Sequence, residues 1–140
     1  MGRIFKANCC SCDWEERFFC GQGWSDCGNN ERYYKKVIHG EYGQSIKDYL
    51  SKNPTLSVDT SRAIYQCPGC LFITEEEAVD LISSFTFSPT DNDIVYQHKH
   101  MCPHCDKRMI KIAIKENETS MIRCPKCKSS ARLNVVGCWD

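Results

Sequence analysis

Four Cys-x-x-Cys pairs, Cys9/Cys12, Cys67/Cys70, Cys102/Cys105 and Cys124/Cys127, divide this chain of 140 residues. Each pair is a two-thiol claw, and two claws supply the four thiolates that a tetrahedral Zn(Cys)4 site takes at about 2.3 Å from the ion. Eight such cysteines therefore predict two zinc ions per chain, with Cys9, Cys12, Cys67, Cys70, Cys102, Cys105, Cys124 and Cys127 as ligands. Between Cys105 and Cys124 lie 18 residues, a separation at which two claws close on one structural ion. That assigns Cys102, Cys105, Cys124 and Cys127 to one site and leaves Cys9, Cys12, Cys67 and Cys70 to each other, although 54 residues separate Cys12 from Cys67. Crossed pairing of the claws is the alternative.

Three claws read CPGC, CPHC and CPKC, with Pro68, Pro103 and Pro125 at the first bend of a tight turn, where a fixed φ and a missing N–H are suited. These motifs resemble the zinc ribbon, or rubredoxin-like knuckle, superfamily, closely over about residues 94–136 and only in part before that. Where that superfamily often has Gly after a claw, this chain has Asp13, Leu71, Asp106 and Lys128. The GxG following the first claw region and GEYG at 40–43 also resemble small uncharacterised bacterial zinc-ribbon proteins.

Twelve cysteines also suit a secreted disulfide framework, so the compartment matters. The chain opens MGRIFKANCC without an apolar run of signal-peptide length, and Lys6 stands where a myristoylation motif needs Ser or Thr. No apolar stretch of about 18 residues occurs, so no membrane span is expected. A reducing, cytoplasmic setting is the expectation, and there such claws hold metal rather than disulfides. Cys10, Cys20, Cys27 and Cys138 are left over; Cys10 is an alternative ligand of the first claw, and Cys20, Cys27 and Cys138 are expected as partly buried apolar residues.

Along the chain, WEERFF, Arg62–Gln66, IVYQHKHM, KRMIKIAI and ARLNVVG read as strands. RYYKKVIHG reads as a helix ended by Gly40, and the segment around Ile46, Tyr49 and Leu50 as a second helix ended before Pro54. Thr74 and Glu77 form a capping box ahead of Ala78, Leu81, Ile82 and Phe85, which predicts a third, amphipathic helix. The fold expected is a small zinc-stabilised α+β protein of two ribbon-like modules: 1–88, carrying a helical insertion at 13–66, and 89–140, with SPTDND as the linker.

The formal charge is zero, but residues 95–140 carry +5 and residues 1–94 carry −5. Lys107, Arg108, Lys111, Lys126, Lys128 and Arg132 are the candidate basic patch for phosphates on the C-terminal ribbon, with Trp139 as the candidate exposed aromatic. The plain counterpart is a solvated strand face. No HExxH helix, GxSxG elbow or phosphate loop is present, so no catalytic residue is assigned. His98, His100 and His104 lie near a claw and are expected as outward-facing strand or turn residues. The function expected is therefore a non-enzymatic zinc-binding adaptor for protein or nucleic acid. The alternative is a thiol oxidoreductase or redox sensor using CPHC or CPGC, because a low-pKa Cys-x-x-Cys thiol is also redox chemistry.

Overall fold

A computed structural model describes residues 2–23, 30–83, 89–115 and 118–140. In chain order the elements are β1 (Gly2–Cys9), β2 (Glu15–Cys20), α1 (Asn30–Ile38), α2 (Gln44–Lys52), β3 (Ser57–Gln66), β4 (Ile73–Ile82), β5 (Ile94–Gln97), β6 (Ile110–Lys111), β7 (Ser120–Arg123) and β8 (Ser130–Trp139). The described residues are thus mostly strand with two helices, broadly α+β, in two four-stranded sheets ordered β2-β1-β8-β7 and β5-β4-β3-β6. The chain divides into two compact units: Met1–Trp24, Arg62–Glu76 and Lys99–Asp140 make the first, and Ser25–Ser61 and Glu77–His98 the second. The expected boundary between 1–88 and 89–140 falls at Ser88, which lies outside the described residues.

The first unit is built on the sheet of β1, β2, β7 and β8. Alternate side chains of a strand point to one face, and here Phe5 and Ala7 of β1 meet Phe18 of β2 and Leu133 of β8 across the antiparallel ladders. Ala131 and Ile122 extend the face to β7, and Ile64, Ile73, Cys20 and Cys124 complete the buried cluster. Between Ile4 and Phe5 the register with β8 shifts from Gly137 to Val135, a bulge that leaves Val136 unpaired and 52 % exposed. Trp139 packs over Gly2, where a Cβ would lie 2.2 Å from the indole, so only glycine fits there. The indole N–H donates to the Cys20 carbonyl at 3.3 Å and the ring meets Phe19 edge-on. Trp139 is thus a half-buried edge of this unit rather than a free stacking surface.

In the second unit Tyr33 and Val37 of α1 and Ile46 and Leu50 of α2, each pair at i, i+4, bury one helix face with Val58, Val79 and Leu81. Gly40, at φ 83°, ends α1 as the sequence predicts, and the backbone N–H of Asn53 closes α2 on Tyr49 and Leu50.

The predicted third helix is instead β4. Ala78, Val79, Asp80, Leu81 and Ile82 are all buried in succession, a pattern with no helical stripe, and β4 lies between β3 and β5 in its sheet. Helix propensity in EEEA amounts to tenths of a kcal/mol per residue, and pairing on both edges overrides it. KRMIKIAI is likewise reduced to the two-residue β6, and IVYQHKHM to β5. Phe85 lies outside the described residues. The alternation in β8 generates a test. Leu133→Ala removes a side chain only 1 % exposed and is expected to cost about 2–5 kcal/mol in denaturant unfolding. Val135→Ala, at 45 % exposure, is expected to stay within about 0.5 kcal/mol.

Candidate metal centres

Three of the four claws sit where the chain reverses between paired strands. Cys9 ends β1 and the next claw residue, Cys12, precedes β2; Cys67 and Cys70 fill the turn from β3 to β4; Cys124 and Cys127 fill the turn from β7 to β8. Cys102 and Cys105 lie inside an isolated bridge between Met101 and Arg108. The turns share one backbone device. The N–H of the first cysteine donates to a carbonyl five residues on, Cys9 to Trp14, Cys67 to Phe72, Cys102 to Lys107 and Cys124 to Ser129, at 2.7–3.0 Å. In the last three, the residue after the second cysteine donates back to the first cysteine's carbonyl. Those residues, Leu71, Asp106 and Lys128, have φ of 65°, 58° and 65°. They take the left-handed conformation that glycine adopts without strain, and the reverse turn holds them there despite their Cβ.

Two groups of four result: Cys9, Cys12, Cys124 and Cys127, and Cys67, Cys70, Cys102 and Cys105, with all sulfurs of a group within 4.8 Å of one another. The structure therefore gathers all eight predicted cysteines but corrects their expected pairing. The outer claws meet each other and the inner claws meet each other, because β1 pairs with β8 and Cys9 stands opposite Ala131, at the foot of the last claw. Similarly Gln66, just before Cys67, pairs with Ile110, just beyond the third claw.

Across claws, Cys9–Cys127 and Cys12–Cys124 stand 3.4 and 3.6 Å apart, and Cys67–Cys105 and Cys70–Cys102 3.3 and 3.5 Å. A tetrahedron with metal–sulfur bonds of about 2.3 Å has edges of roughly 3.8 Å, whereas a disulfide needs about 2.05 Å. The spacing fits a shared ion, and each tetrad can hold one. Backbone N–H groups of Ser11 and Cys12 point at Cys9 Sγ, and those of Gly69 and Cys127 at Cys67 and Cys124 Sγ, at 3.3–3.4 Å.

The thiols do not titrate alike. The Cys70 and Gly69 N–H groups with the neighbouring Cys105 hold Cys67 down to about 6, and the Ser129 hydroxyl and N–H hold Cys127 to about 6. The Phe72 N–H lowers Cys70, yet burial and the surrounding thiols outweigh it and leave Cys70 at about 11. Trp14 acts likewise on Cys12, which burial, Cys9, Cys124 and Cys127 raise to about 12. The charge on Cys67 opposes that on Cys70, and the charge on Cys127 opposes that on Cys12. A dication removes that opposition, so metal uptake releases protons and weakens as pH falls.

Among the leftover cysteines, Cys20 is buried, and desolvation with the charge of Glu75 pushes its thiol up to about 12. Cys138 and Cys10 are exposed, so Cys138 departs from the partly buried expectation, and Cys10 replaces no claw member. Cys27 lies outside the described residues. None of the histidines joins a tetrad among the described residues: His100 packs on Tyr65, His98 on Tyr42 and His104 on Phe72, with ring centroids 4.5, 5.9 and 4.6 Å apart.

All six residues of the candidate basic patch are exposed. Lys126 is ion-paired to Asp13, which lowers the Asp13 carboxyl and raises the lysine, and the Lys107 stem covers Gly69. Gln66 gave no signal in the sequence, yet its buried carboxamide reaches the backbone at both tetrads. Comparison of the chain with family models, curated proteins and solved structures finds no match.

Two outcomes follow from this geometry. Cys124→Ser should leave one metal ion per chain and expose Cys9, Cys12 and Cys127 to alkylation together while Cys102 and Cys105 stay shielded, as peptide mass spectrometry would read. Exposure of Cys102 and Cys105 instead would restore the sequential pairing. Lys128→Gly, which relieves a left-handed backbone on an exposed side chain, should raise stability by roughly 0.5–1 kcal/mol in chemical unfolding of the metal-loaded chain.

Proposed function

We propose that the chain is a non-enzymatic zinc-binding interaction module, an adaptor for a protein or nucleic-acid partner, in which two ribbon-like Zn(Cys)4 centres replace a large hydrophobic core. The observation that carries this reading is closure: each tetrad offers four cysteines within metal-sharing distance of one another. Catalytic zinc keeps a position for water or substrate and commonly uses three protein ligands with His or Glu among them. An all-thiolate tetrahedron suits zinc or an iron centre, and closed structural sites of this ligand set are those of zinc. The reading places the chain in a reducing, cytoplasmic setting, where thiols remain available to metal.

Thiol oxidoreduction is the competing chemistry, and it requires one accessible claw cysteine to be free to attack a disulfide. An ion in each tetrad denies that freedom to all eight. The basic residues of the last two claws, Lys107, Arg108 and Lys111 above all, are the surface offered to an anionic partner.

Elemental analysis of the purified full chain is expected to give two zinc ions and no iron, and the loaded chain to show no turnover in insulin reduction. Turnover abolished by Cys102→Ser would reverse the assignment. Fluorescence anisotropy with single-stranded RNA separates the partner classes. Binding that weakens steeply with salt identifies nucleic acid, and its salt slope should become shallower by about 0.7 for each phosphate that Lys107→Glu or Lys111→Glu leaves unneutralised. Absence of binding at low salt leaves a protein partner.

A further inference from the structure

We propose that Gln66 is a positioning residue that couples the two metal centres, so that filling one strengthens the other. The inference rests on the two-centre reading above and adds to it a route between the sites. Gln66 is the last residue of β3 and directly precedes Cys67, a ligand of the inner tetrad. Its side chain is only 8 % exposed and its carboxamide makes three bonds. Nε2 donates to the Leu71 carbonyl at 3.1 Å and to the Arg123 carbonyl at 2.7 Å, and Oε1 accepts from the Arg123 N–H at 3.4 Å.

Both partners are backbone groups of metal-holding turns. Leu71 is the left-handed residue that closes the turn of Cys67 and Cys70, and Arg123 directly precedes Cys124, a ligand of the outer tetrad. The carboxamide thereby pairs with Arg123 much as another strand would at the edge strand β7, and both its N–H groups are used, one on each turn. With its N–H and C=O groups so engaged, the side chain cannot follow a displaced Leu71 without weakening its hold on Arg123. Unpaired, a buried amide loses hydrogen bonds that water cannot replace. An ion that fixes the turn around Cys67 and Cys70 therefore fixes Arg123, and with it the approach of Cys124. Coupling between sites is reciprocal, so zinc in the outer tetrad supports the inner one equally.

A glutamine that merely fills the core would stabilise the fold without linking the affinities, and a double-mutant cycle on the full chain distinguishes the two. Zinc affinity of the outer tetrad is measured by competition with a chromophoric chelator, with the inner tetrad intact or disabled by Cys102→Ser, in chains carrying Gln66 or the similarly sized, non-bonding Gln66→Met. With Gln66 present, Cys102→Ser should weaken the outer site at least about five-fold, the lower end of ordinary coupling between sites. With Gln66→Met the same change should move it less than about two-fold, as for independent sites. Equal weakening in both backgrounds, or none with Gln66 present, overturns the proposal. Should Gln66→Met fail to load zinc, hydrogen exchange decides without it. The Arg123 amide of Cys102→Ser, with the outer site zinc-loaded, should exchange at least about five-fold faster than in the unaltered chain, and an unchanged rate overturns the coupling. An unaltered chain that binds fewer than two zinc ions would sink the two-centre reading itself, whereas two ions without coupling sink the role of Gln66 alone.

Discussion

The antiparallel pairing of β1 with β8 is the constraint on which the two cysteine tetrads depend. It joins the first and last strands of the fold from Gly2 opposite Trp139 to Cys9 opposite Ala131, so the turn that follows β1 and the turn that precedes β8 meet at one end of the sheet. Cys9, Cys12, Cys124 and Cys127 are drawn together by that register and by nothing local in the sequence. Once the outer claws are committed to each other, Cys67, Cys70, Cys102 and Cys105 are left as the second set, and the short ladder of Tyr65 and Gln66 with Lys111 and Ile110 aligns them.

Loop entropy is too weak to select partners by spacing alone. Sequential pairing would close loops of 54 and 18 residues, whereas the observed pairing closes loops of 111 and 31. Since closure entropy grows only with the logarithm of length, the difference is about 1 kcal/mol, comparable with one net hydrogen bond. A strand pairing of eight positions, with Phe5 and Ala7 buried beneath it, exceeds that margin. The 18-residue interval between Cys105 and Cys124 is thus compatible with a shared ion without requiring one.

What the sequence made legible was chemistry tied to short motifs. The eight claw cysteines, the turn-forming prolines, the two helices and the glycine at the end of α1 could all be read locally, because each depends on residues within one or two turns of chain. Two things could not. The segment after Thr74 carries a capping box and helically spaced apolar residues, but Ala78–Ile82 is buried without interruption in a strand paired on both edges, a fact of tertiary context. The left-handed Leu71 and Lys128 were equally hidden, since neither side chain favours that conformation, and Asp106 signals it only weakly. There the turn's paired backbone hydrogen bonds, not the side chain, dictate φ.

The division of the eight thiols into an outer and an inner set can be read directly by substituting cadmium-113 and recording proton–cadmium correlation spectra of the folded chain. Two metal resonances are predicted, one correlating with the β-protons of Cys9, Cys12, Cys124 and Cys127 and the other with those of Cys67, Cys70, Cys102 and Cys105. A resonance shared by Cys9, Cys12, Cys67 and Cys70 would contradict the account.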